Sequence, residues 1–561
     1  MPYDGFVMRG TVEQIAKKIV GFNLRNVYLS KHILYFSFDN GDLKVSLNPN
    51  FSYISFVNHF VEDPEKNNFV EFLRSRIRGA KVVDFSNIQY ERTVVLELKK
   101  IDEIGVVHNY VLYFDIMGKH SNAIIVENSE ILEAFKRVQT KFRNIFPGEK
   151  FVLYPSDKLT IDEIDSFDKL KSVFEGFYDK KKSLVEFIYT KFQGFSKVTA
   201  EEVLYRSELD NKSLSEVSLE DLKRVYEILI SVKEELKEGT LRLYYEDEKP
   251  KDISVIRLHQ YRDEKKCSEF VKCVNEYFEY VEVKDKITEK RNQLISVVKS
   301  KIDHYENLLS ELERELEECK DADKYRKYGE LIKAYSYQIN CGEEMASLYD
   351  WESDSHVSVP LEKNLSPIEN SVKYFNLYSK LKRKAKGIEE RKEILSKELS
   401  YLQQLQLTIE NAEGLEELFE IEDEMVENGL IKKKVDKKGK KKSEQVSEPR
   451  KYVYNGFTIL VGKNNRQNDE LVVRSSDNDI WLHVQGMPGA HVVIKTNGKS
   501  VDEDTLYYAA RLAATYSKGR YSSNVPIDYT YIKYVKKVRG LKPGLVLYSN
   551  FKTLFVDPIQ R

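Results

Sequence analysis

The chain has few cysteines and no long apolar runs, the features on which many secreted and membrane-inserted proteins depend. Its 561 residues include only four cysteines, none in a Cys-x-x-Cys pair: Cys267, Cys273, Cys319 and Cys341. We therefore expect reduced, mostly structural thiols rather than a disulfide framework or a zinc finger. No apolar run is long enough to span a membrane, and the first residues lack an apolar signal region. The sequence predicts a cytoplasmic protein without a membrane partner.

An excess of charge of one sign is also missing from the chain as a whole. The 89 Lys and Arg nearly balance the 91 Asp and Glu, so a uniformly basic nucleic-acid-binding chain is excluded. The charge is unevenly distributed, however. Residues 450–561 hold 17 Lys and Arg against 9 Asp and Glu, and residues 432–442 hold eight Lys and one Asp. The Lys-rich stretch fits two roles, a solvated flexible tether or a contact with RNA phosphates that salt would weaken.

Two long helical repeats stand out between residues 285 and 409. Apolar side chains recur alternately three and four residues apart, which is the spacing of a coiled-coil seam. The first repeat consists of Val298, Ile302, Tyr305, Leu309, Leu312, Leu316 and Cys319, and the second of Tyr378, Leu381, Ala385, Ile388, Leu395, Leu399, Leu402 and Ile409. One chain with two such arms most simply folds them into a long antiparallel coiled-coil hairpin. A dimerising coiled coil is the alternative.

The predicted fold class is multidomain α+β. We expect an antiparallel-sheet N-terminal domain, a helix-hairpin-helix domain, the coiled-coil hairpin and a small α/β C-terminal domain. The predicted boundaries are 1–175, 176–262, 263–431 with a tip subdomain at 320–371, a Lys-rich linker at 432–449, and 450–561.

Three local patterns shape the expectations for the first 150 residues. The spacing of Thr11 and Gln14 is that of a capping box, which predicts a helix beginning at Thr11. A short basic helix is expected over residues 69–78. A second, amphipathic helix is expected to carry Lys136, Arg137, Lys141 and Arg143. Basic helix faces of this kind are usually no more than solvated surfaces.

Residues 186–206 have the pattern of a helix-hairpin-helix motif around Gly194-Phe195-Ser196. The glycine of such a turn leaves backbone N–H groups facing outward, where a phosphate oxygen can accept from them. A single glycine between two helices is a weak signal. Taken alone, this stretch is better explained by a plain helix-turn-helix packing unit.

Several short motifs, spread through the chain in a fixed order, resemble those of the NFACT family. In the N-terminal half they are Tyr3-Asp4-Gly5 and Met117-Gly118-Lys119-His120-Ser121-Asn122. In the last domain they are Val461-Gly462-Lys463-Asn464-Asn465, Asp479-Ile480-Trp481-Leu482-His483 and Pro488-Gly489-Ala490-His491. The resemblance names residues 1–175 an NFACT-N domain and residues 450–561 an NFACT-R domain.

The resemblance implies a role in ribosome-associated quality control. Bacterial members of the family bind an obstructed large (50S) ribosomal subunit, with its rRNA, its proteins and a peptidyl-tRNA. They recruit tRNA-Ala for template-free C-terminal alanine tailing, which marks the stalled nascent chain for degradation. The chain itself would not be an enzyme, because the ribosome forms the peptide bonds. It would need no cofactor and would act as a monomer on the ribosome.

The resemblance also implies which residues handle tRNA. They are Asp4, Glu91, Arg92, Lys119, His120, Ser121, Asn122, Arg74, Arg76, Arg78, Lys136 and Arg137. Candidate RNA-binding residues nearer the C-terminus are Lys432, Lys433, Lys434, Lys463, Asn464 and Asn465. Bacterial relatives usually carry Asp at the position of Glu91 and Arg at that of Lys119, and a lysine lacks the bidentate fork of arginine. Taken by themselves, Glu91 and Arg92 fit a surface ion pair of little energetic worth.

Two other functions compete with this interpretation. A fibronectin-binding surface adhesin is one, because some relatives carry that name. A DNA glycosylase is the other, because Pro2 could supply an amine nucleophile as in the formamidopyrimidine enzymes. Tyr3 stands where those enzymes have Glu, and no cysteine follows Cys341 to build their zinc finger. No metal site is predicted, since His483 and His491 lack a third ligand at suitable spacing.

Overall fold

The computed structural model describes residues 3–59, 64–177, 181–432, 447–538, 540 and 542–559. It separates into two compact units, Met1–Asp285 and Lys286–Arg561. Pro2, the proposed glycosylase nucleophile, lies outside the described residues.

The first unit begins with one helix and two antiparallel sheets. Helix α1 (Gly5–Ile19) is followed by a four-stranded meander of β1 (Asn26–Ser30), β2 (Ile33–Phe38), β3 (Gly41–Leu47) and β4 (Ser52–Val57). After helix α2 (Asn68–Ile77) comes a five-stranded meander of β5 (Lys81–Asn87), β6 (Thr93–Ile101), β7 (Val107–Asp115), β8 (Asn122–Glu127) and β9 (Glu130–Ala134). A small hairpin follows, made of β10 (Val138–Gln139) and β11 (Asn144–Ile145).

Two expectations for this region were wrong. Helix α1 begins at Gly5, with Asp4 as its N-cap, and the Thr11 hydroxyl donates to Val7 O within the helix. The basic segment from Lys136 to Arg143 is not a helix but enters the β10–β11 hairpin. Its turn is closed by Thr140, whose Oγ1 accepts from Arg143 N at 3.0 Å. A Thr side chain that bonds its own local backbone in this way favours a turn over a helix.

The rest of the first unit is helical and ends in a small sheet. Its helices are α3 (Phe167–Glu175), α4 (Leu184–Lys191), α5 (Lys197–Arg206) and α6 (Leu219–Glu238). The sheet contains β12 (Arg242–Glu246), β13 (Lys249–Ser254) and β14 (Asp263–Lys266), with β12 in the centre. One apolar core joins α1, both meanders, these helices and the first turns of α7 (Phe270–Glu318).

A disulfide links Cys267 and Cys273, whose Cα atoms are 6.1 Å apart. The expectation of reduced thiols was therefore wrong for this pair. The six-residue spacing carries no disulfide signature in the sequence. The two residues meet because the chain turns from β14 directly into α7.

Long helices dominate the beginning of the second unit. Helix α7 leads to a subdomain of α8 (Ala322–Ala334), β15 (Met345–Asp350) and β16 (Ser355–Pro360), after which come α9 (Pro367–Asn411) and α10 (Leu415–Glu427). Helix α9 starts at a complete capping box, in which Ser366 and Glu369 bond each other's backbone N–H, with Pro367 at the first helical position.

Helices α7 and α9 pack side by side and run in opposite directions. Leu294 and Val298 share a buried cluster with Leu402 and Leu405, while Leu312 packs with Ile388 further along. Ion pairs across the same seam join Glu313 to Lys392 and Glu315 to Lys384, each at 3.0 Å. These charges are largely solvent-exposed, so the buried apolar side chains supply most of the stabilisation.

The last domain is built on a six-stranded sheet. Its elements in chain order are β17 (Arg450–Tyr454), β18 (Phe457–Val461), α11 (Asn465–Val473), β19 (Ile480–Val484), β20 (Val492–Lys495), α12 (Glu503–Thr515), β21 (Val525–Tyr531), β22 (Val535–Lys536), β23 (Leu547–Tyr548) and β24 (Lys552–Val556). The sheet order is β17-β18-β20-β19-β21-β24, with all neighbours antiparallel. The domain is therefore α+β rather than the expected α/β, because no helix crosses between parallel neighbouring strands.

Candidate nucleic-acid interface

Three segments that are distant in sequence meet at the start of α1. Gly5 N donates to Gly194 O at 3.2 Å, and a Cβ atom on Gly5 would lie 2.1 Å from Tyr90 O. Gly194 has a φ of +86°, and a Cβ there would lie 2.5 Å from the Phe6 ring. This close approach requires glycine at both positions. It brings together the N-terminus of α1, the β5–β6 turn and the α4–α5 turn.

Asp4 lies buried at this junction and caps α1. Its Oδ1 accepts from Phe6 N at 3.1 Å and Val7 N at 3.0 Å, while its buried Oδ2 has no hydrogen-bond partner among the described residues. Burial raises the pKa of Asp4 to about 7, although the hydrogen bond from Val7 N and the charge of Arg92 act to lower it. Asp4 is therefore a structural cap that also faces Arg92.

The β5–β6 turn carries Glu91 and Arg92. Glu91 Oε1 accepts from Ser156 Oγ at 2.6 Å and from Gln193 Nε2 at 3.2 Å. Burial lowers the pKa of Arg92, and the negative charges of Asp4 and Glu91 oppose that shift. Within the described part of the chain, the Arg92 guanidinium forms no hydrogen bond or ion pair. It is thus a partly exposed cation near two carboxylates with its donors unused.

The partners of Glu91 could not be found from sequence. Ser156 lies in an irregular segment, and Gln193 is the residue before the turn glycine of the helix-hairpin-helix stretch. The α4–α5 pair confirms the predicted helices on either side of Gly194. Ser183 and Ser196 cap these helices with complete capping boxes.

The Met117–Asn122 turn divides into buried and exposed residues. Ser121 Oγ accepts from Met117 N at 2.9 Å, and Asn122 bonds both the N–H and the carbonyl of Lys136 at 2.8 Å. These two side chains are buried and stabilise the turn. Lys119 and His120 are exposed. Lys119 and His120 are therefore available to a ligand, whereas Ser121 and Asn122 stabilise the turn.

The arginines of α2 have different surroundings. Arg74 is held by Val27 O at 2.8 Å and by Glu71 at 2.7 Å. Arg76 and Arg78 are exposed near the C-terminus of the helix. Arg76 extends over the Phe72 ring at 5.6 Å. Arg76 and Arg78 are therefore better candidates for phosphate contacts than Arg74.

The two basic residues that follow β9 are also constrained by contacts inside the chain. Arg137 forms a bidentate pair with Glu133, at 2.9 and 2.6 Å. Lys136 extends toward Lys119 O, at 3.4 Å. The candidate tRNA residues thus lie on several neighbouring elements of the first unit and do not form a single contact cluster.

The candidate RNA-binding residues of the second unit are mostly used internally. Lys463 pairs with Glu417 of α10 at 3.2 Å. Asn464 caps α11 and donates to Glu420 at 2.7 Å, and Asn465 donates to Glu424 at 2.9 Å. Both asparagines are buried. This motif therefore joins α11 to α10.

The remaining candidates are three lysines of the linker and two histidines of the last domain. Lys432 is exposed, and Lys433 and Lys434 lie outside the described residues. His491 is buried, with its Nδ1 3.1 Å from Asn468 O, and His483 is half-buried. Burial lowers the pKa of both histidines. Among the residues that the structure describes, no cluster of His, Cys, Asp and Glu is arranged to hold a metal ion, and no helix is long and apolar enough to cross a membrane.

Comparison with known proteins agrees with the motif order. Residues 4–444 match the NFACT N-terminal and middle domains, and residues 451–550 match the NFACT protein RNA binding domain. The chain belongs to the NFACT family. Over its full length it is 31% identical to the Rqc2 homolog RqcH of Bacillus subtilis (strain 168), covering 98% of that protein. It is 27% identical to the Rqc2 homolog RqcH of Streptococcus pneumoniae (strain ATCC BAA-255 / R6), again over the full chain and 98% of the relative.

A solved structure also resembles part of the chain. It is the C-terminal part of the fibronectin/fibrinogen-binding protein from Streptococcus suis, 29% identical, which covers 49% of this chain and 96% of that one with a TM-score of 0.39.

Asp4 gives a prediction about pH. Its pKa of about 7 in the folded chain lies above the roughly 3.9 of an unfolded aspartate, so folding favours the protonated carboxyl. The resulting stabilisation is fully present below about pH 4 and is lost as pH rises through about 7. Asp4→Asn keeps a capping oxygen but cannot ionise. We expect a flatter dependence of unfolding free energy on pH between 4 and 7, measured by urea titration.

Asp4→Ala provides the control, because it removes both the cap and the titration. It should lose about 1 kcal/mol of cap stabilisation and show the same flattened pH dependence as Asp4→Asn. A wild-type slope retained in both variants would contradict the assignment of this titration to Asp4.

Proposed function

We propose that this protein is a ribosome-associated quality control factor. It binds obstructed large ribosomal subunits that carry peptidyl-tRNA and recruits tRNA-Ala for template-free alanine tailing of the stalled chain. Full-length similarity to the Rqc2 homologs RqcH and the match to both NFACT domains support this role. The ribosome would form the peptide bonds, so the protein is not itself the enzyme, and its site of action would be the cytoplasm.

The unused guanidinium of Arg92 is the observation that supports tRNA handling most directly. A buried or half-buried arginine normally finds acceptors within its own chain, because unsatisfied donors are costly. Arg92 lies beside Asp4 and Glu91, whose charges favour its cationic form, yet its donors are unused within the described chain. An RNA phosphate or a base edge would supply the missing acceptor.

The long helices would provide the ribosome contact. In this proposal α7 and α9 form an antiparallel coiled-coil hairpin that extends along the large subunit, with the 320–371 subdomain at its tip. The domains at 1–175 and 176–262 would hold the tRNA. The 432–449 linker and the RNA-binding domain at 450–561 would add rRNA contacts weakened by salt.

Sequencing the RNA that accompanies the protein tests this function. The tagged chain is purified from its host in mild salt, with an untagged strain as control. Large-subunit rRNA together with tRNA-Ala is the expected result. Large-subunit rRNA with a mixed set of tRNAs would support the quality-control role but overturn the assignment of tRNA-Ala. Glu91, which stands in place of the usual Asp, would then be the first residue to test as the cause. Absence of ribosomal RNA would overturn the whole proposal.

A further inference from the structure

The segment 136–158 combines basic charge with exposed apolar side chains. It contains six Lys and Arg against two Asp and Glu. Its exposed large hydrophobic residues are Val138, Phe142, Phe146, Val152, Leu153 and Tyr154. Exposed apolar side chains among positive charges fit a ligand that is both flat and anionic, and unpaired nucleotides have these properties.

Two aromatic rings of this segment form a corner, which we call the Phe142–Tyr154 platform. Their centroids are 5.6 Å apart with an interplanar angle of 58°. The Phe142 side chain is 54% exposed and Tyr154 44% exposed. Lys141 Nζ lies 5.9 Å from the Phe142 ring, and Arg143 Cζ lies 5.3 Å from the Tyr154 ring. The rings are thus open to solvent while cations border them.

Arg143 is anchored beneath the platform. It is buried and pairs with Asp115, a fully buried carboxylate that also accepts from Thr93 Oγ1 at 2.9 Å. Its Nε and Nη1 are buried without a hydrogen-bond partner among the described residues. The anchored guanidinium lies against the Tyr154 ring and holds a fixed positive charge beneath the platform.

The platform adjoins the candidate tRNA site. Two residues beyond Tyr154, Ser156 donates to Glu91 at 2.6 Å. Lys158 Nζ then donates to Tyr189 O of α4 at 3.0 Å. The same segment therefore carries the platform and contacts the turn that holds Arg92. One RNA molecule bound at Arg92 would extend across the rings.

We propose that Phe142 and Tyr154 form a stacking platform for an unpaired base of the bound RNA. This inference rests on the proposed function and adds a second contact to it. Stacking on aromatic side chains is sequence-tolerant and contributes substantially to single-strand affinity. A paired duplex offers no free base, so the platform distinguishes unpaired from paired RNA.

Binding of labelled RNA to the full chain tests the platform. The probes are a tRNA transcript, an unstructured uridine oligonucleotide and a fully paired RNA duplex at one fixed salt concentration. Removal of one stacking ring costs about 5- to 100-fold in affinity, so Tyr154→Ala and Phe142→Ala should weaken oligonucleotide and tRNA binding by that factor. Duplex binding should change little. Tyr154→Phe, which keeps the ring, should bind like the wild type.

Ile104→Ala is the matched control, because Ile104 is 85% exposed in the β6–β7 turn and has no ring to stack. Thermal unfolding of each variant checks its fold. Photo-crosslinking of a 5-iodouridine oligonucleotide to the wild-type chain needs no variant and should label the peptide containing Phe142 or Tyr154.

The possible failures are distinguishable. If both alanine variants bind RNA as tightly as the wild type and the crosslinks lie elsewhere, the platform proposal is wrong, while the proposed function still stands. An equal loss for duplex and single strand would overturn base stacking. Variants that keep RNA binding but lose a bound protein would make the surface a protein-docking site instead. Absence of any RNA binding by the wild type would overturn both proposals.

Discussion

Glu202→Ala should destabilise the first unit by about 3–5 kcal/mol, the cost of leaving a buried ion pair without one partner. Glu202 is fully buried in α5 and its Oε1 accepts from Arg206 Nε and His259 Nδ1, both at 2.8 Å. Its Oε2 accepts from His259 N at 3.0 Å. Arg206 also pairs with Glu235 of α6 at 2.5 Å. The substitution therefore removes the contacts of α5 to the segment after β13 and takes one of two carboxylates away from Arg206, while the Arg206–Glu235 pair between α5 and α6 remains.

The measurement is thermal unfolding, monitored by far-ultraviolet circular dichroism. For a unit of this size the loss corresponds to a fall in Tm on the order of 10 °C. Glu201→Ala is the matched control, because the neighbouring Glu201 is half-exposed and pairs with exposed Lys197 at 3.5 Å. Such a pair contributes at most about 1 kcal/mol. Equal effects of the two substitutions would show that the buried network is not a major source of stability.

Elements with a strong local signal were predictable from sequence. The basic helix expected at residues 69–78 is α2, capped by Asn67. The two apolar repeats lie in α7 and α9, since periodic burial over several turns leaves little choice of conformation.

Elements whose local pattern fits two conformations, and residues buried by distant partners, were not predictable. The segment at 136–143 has alternating basic residues compatible with a helix, but the Thr140 turn and the pairing of Gln139 with Asn144 make it a hairpin. Asn464 and Asn465 look like polar surface residues in sequence. Their burial depends on carboxylates of α10 about 40 residues earlier, which no local pattern reveals.

The candidate site was only partly visible from the sequence. Family resemblance singled out Asp4, Glu91 and Arg92, whereas the residue types of Glu91 and Arg92 alone fit a surface ion pair. The structure gives each of them a distinct setting: Asp4 caps a helix, Glu91 bonds Ser156 and Gln193, and Arg92 has no hydrogen-bond acceptor among the residues that the structure describes. The roles differ because three separate segments converge around Gly5 and Gly194.

Arg92→Ala should strongly weaken tRNA binding while leaving the fold nearly unchanged. Its guanidinium forms no hydrogen bond or ion pair within the described chain, so removing it breaks no such bond. Loss of an arginine contact to RNA costs about 1–3 kcal/mol, which corresponds to a fall in tRNA affinity of roughly 5- to 150-fold. The two readouts are tRNA binding by filter retention and co-sedimentation with large ribosomal subunits. We expect the first to fall and the second, assigned to α7 and α9, to persist.

Arg92→Lys separates the two kinds of RNA contact. Lysine retains the charge but not the planar fork, so it should restore most tRNA binding if Arg92 contacts a phosphate and little if it reads a base edge. Asp4→Asn gives the complementary test, since it keeps the helix cap while removing the neighbouring negative charge. If Arg92→Ala instead lowered Tm as much as Glu202→Ala, or removed ribosome binding together with tRNA binding, Arg92 would be a structural residue. The unused donors would then reflect a local imperfection of packing rather than a site kept open for RNA.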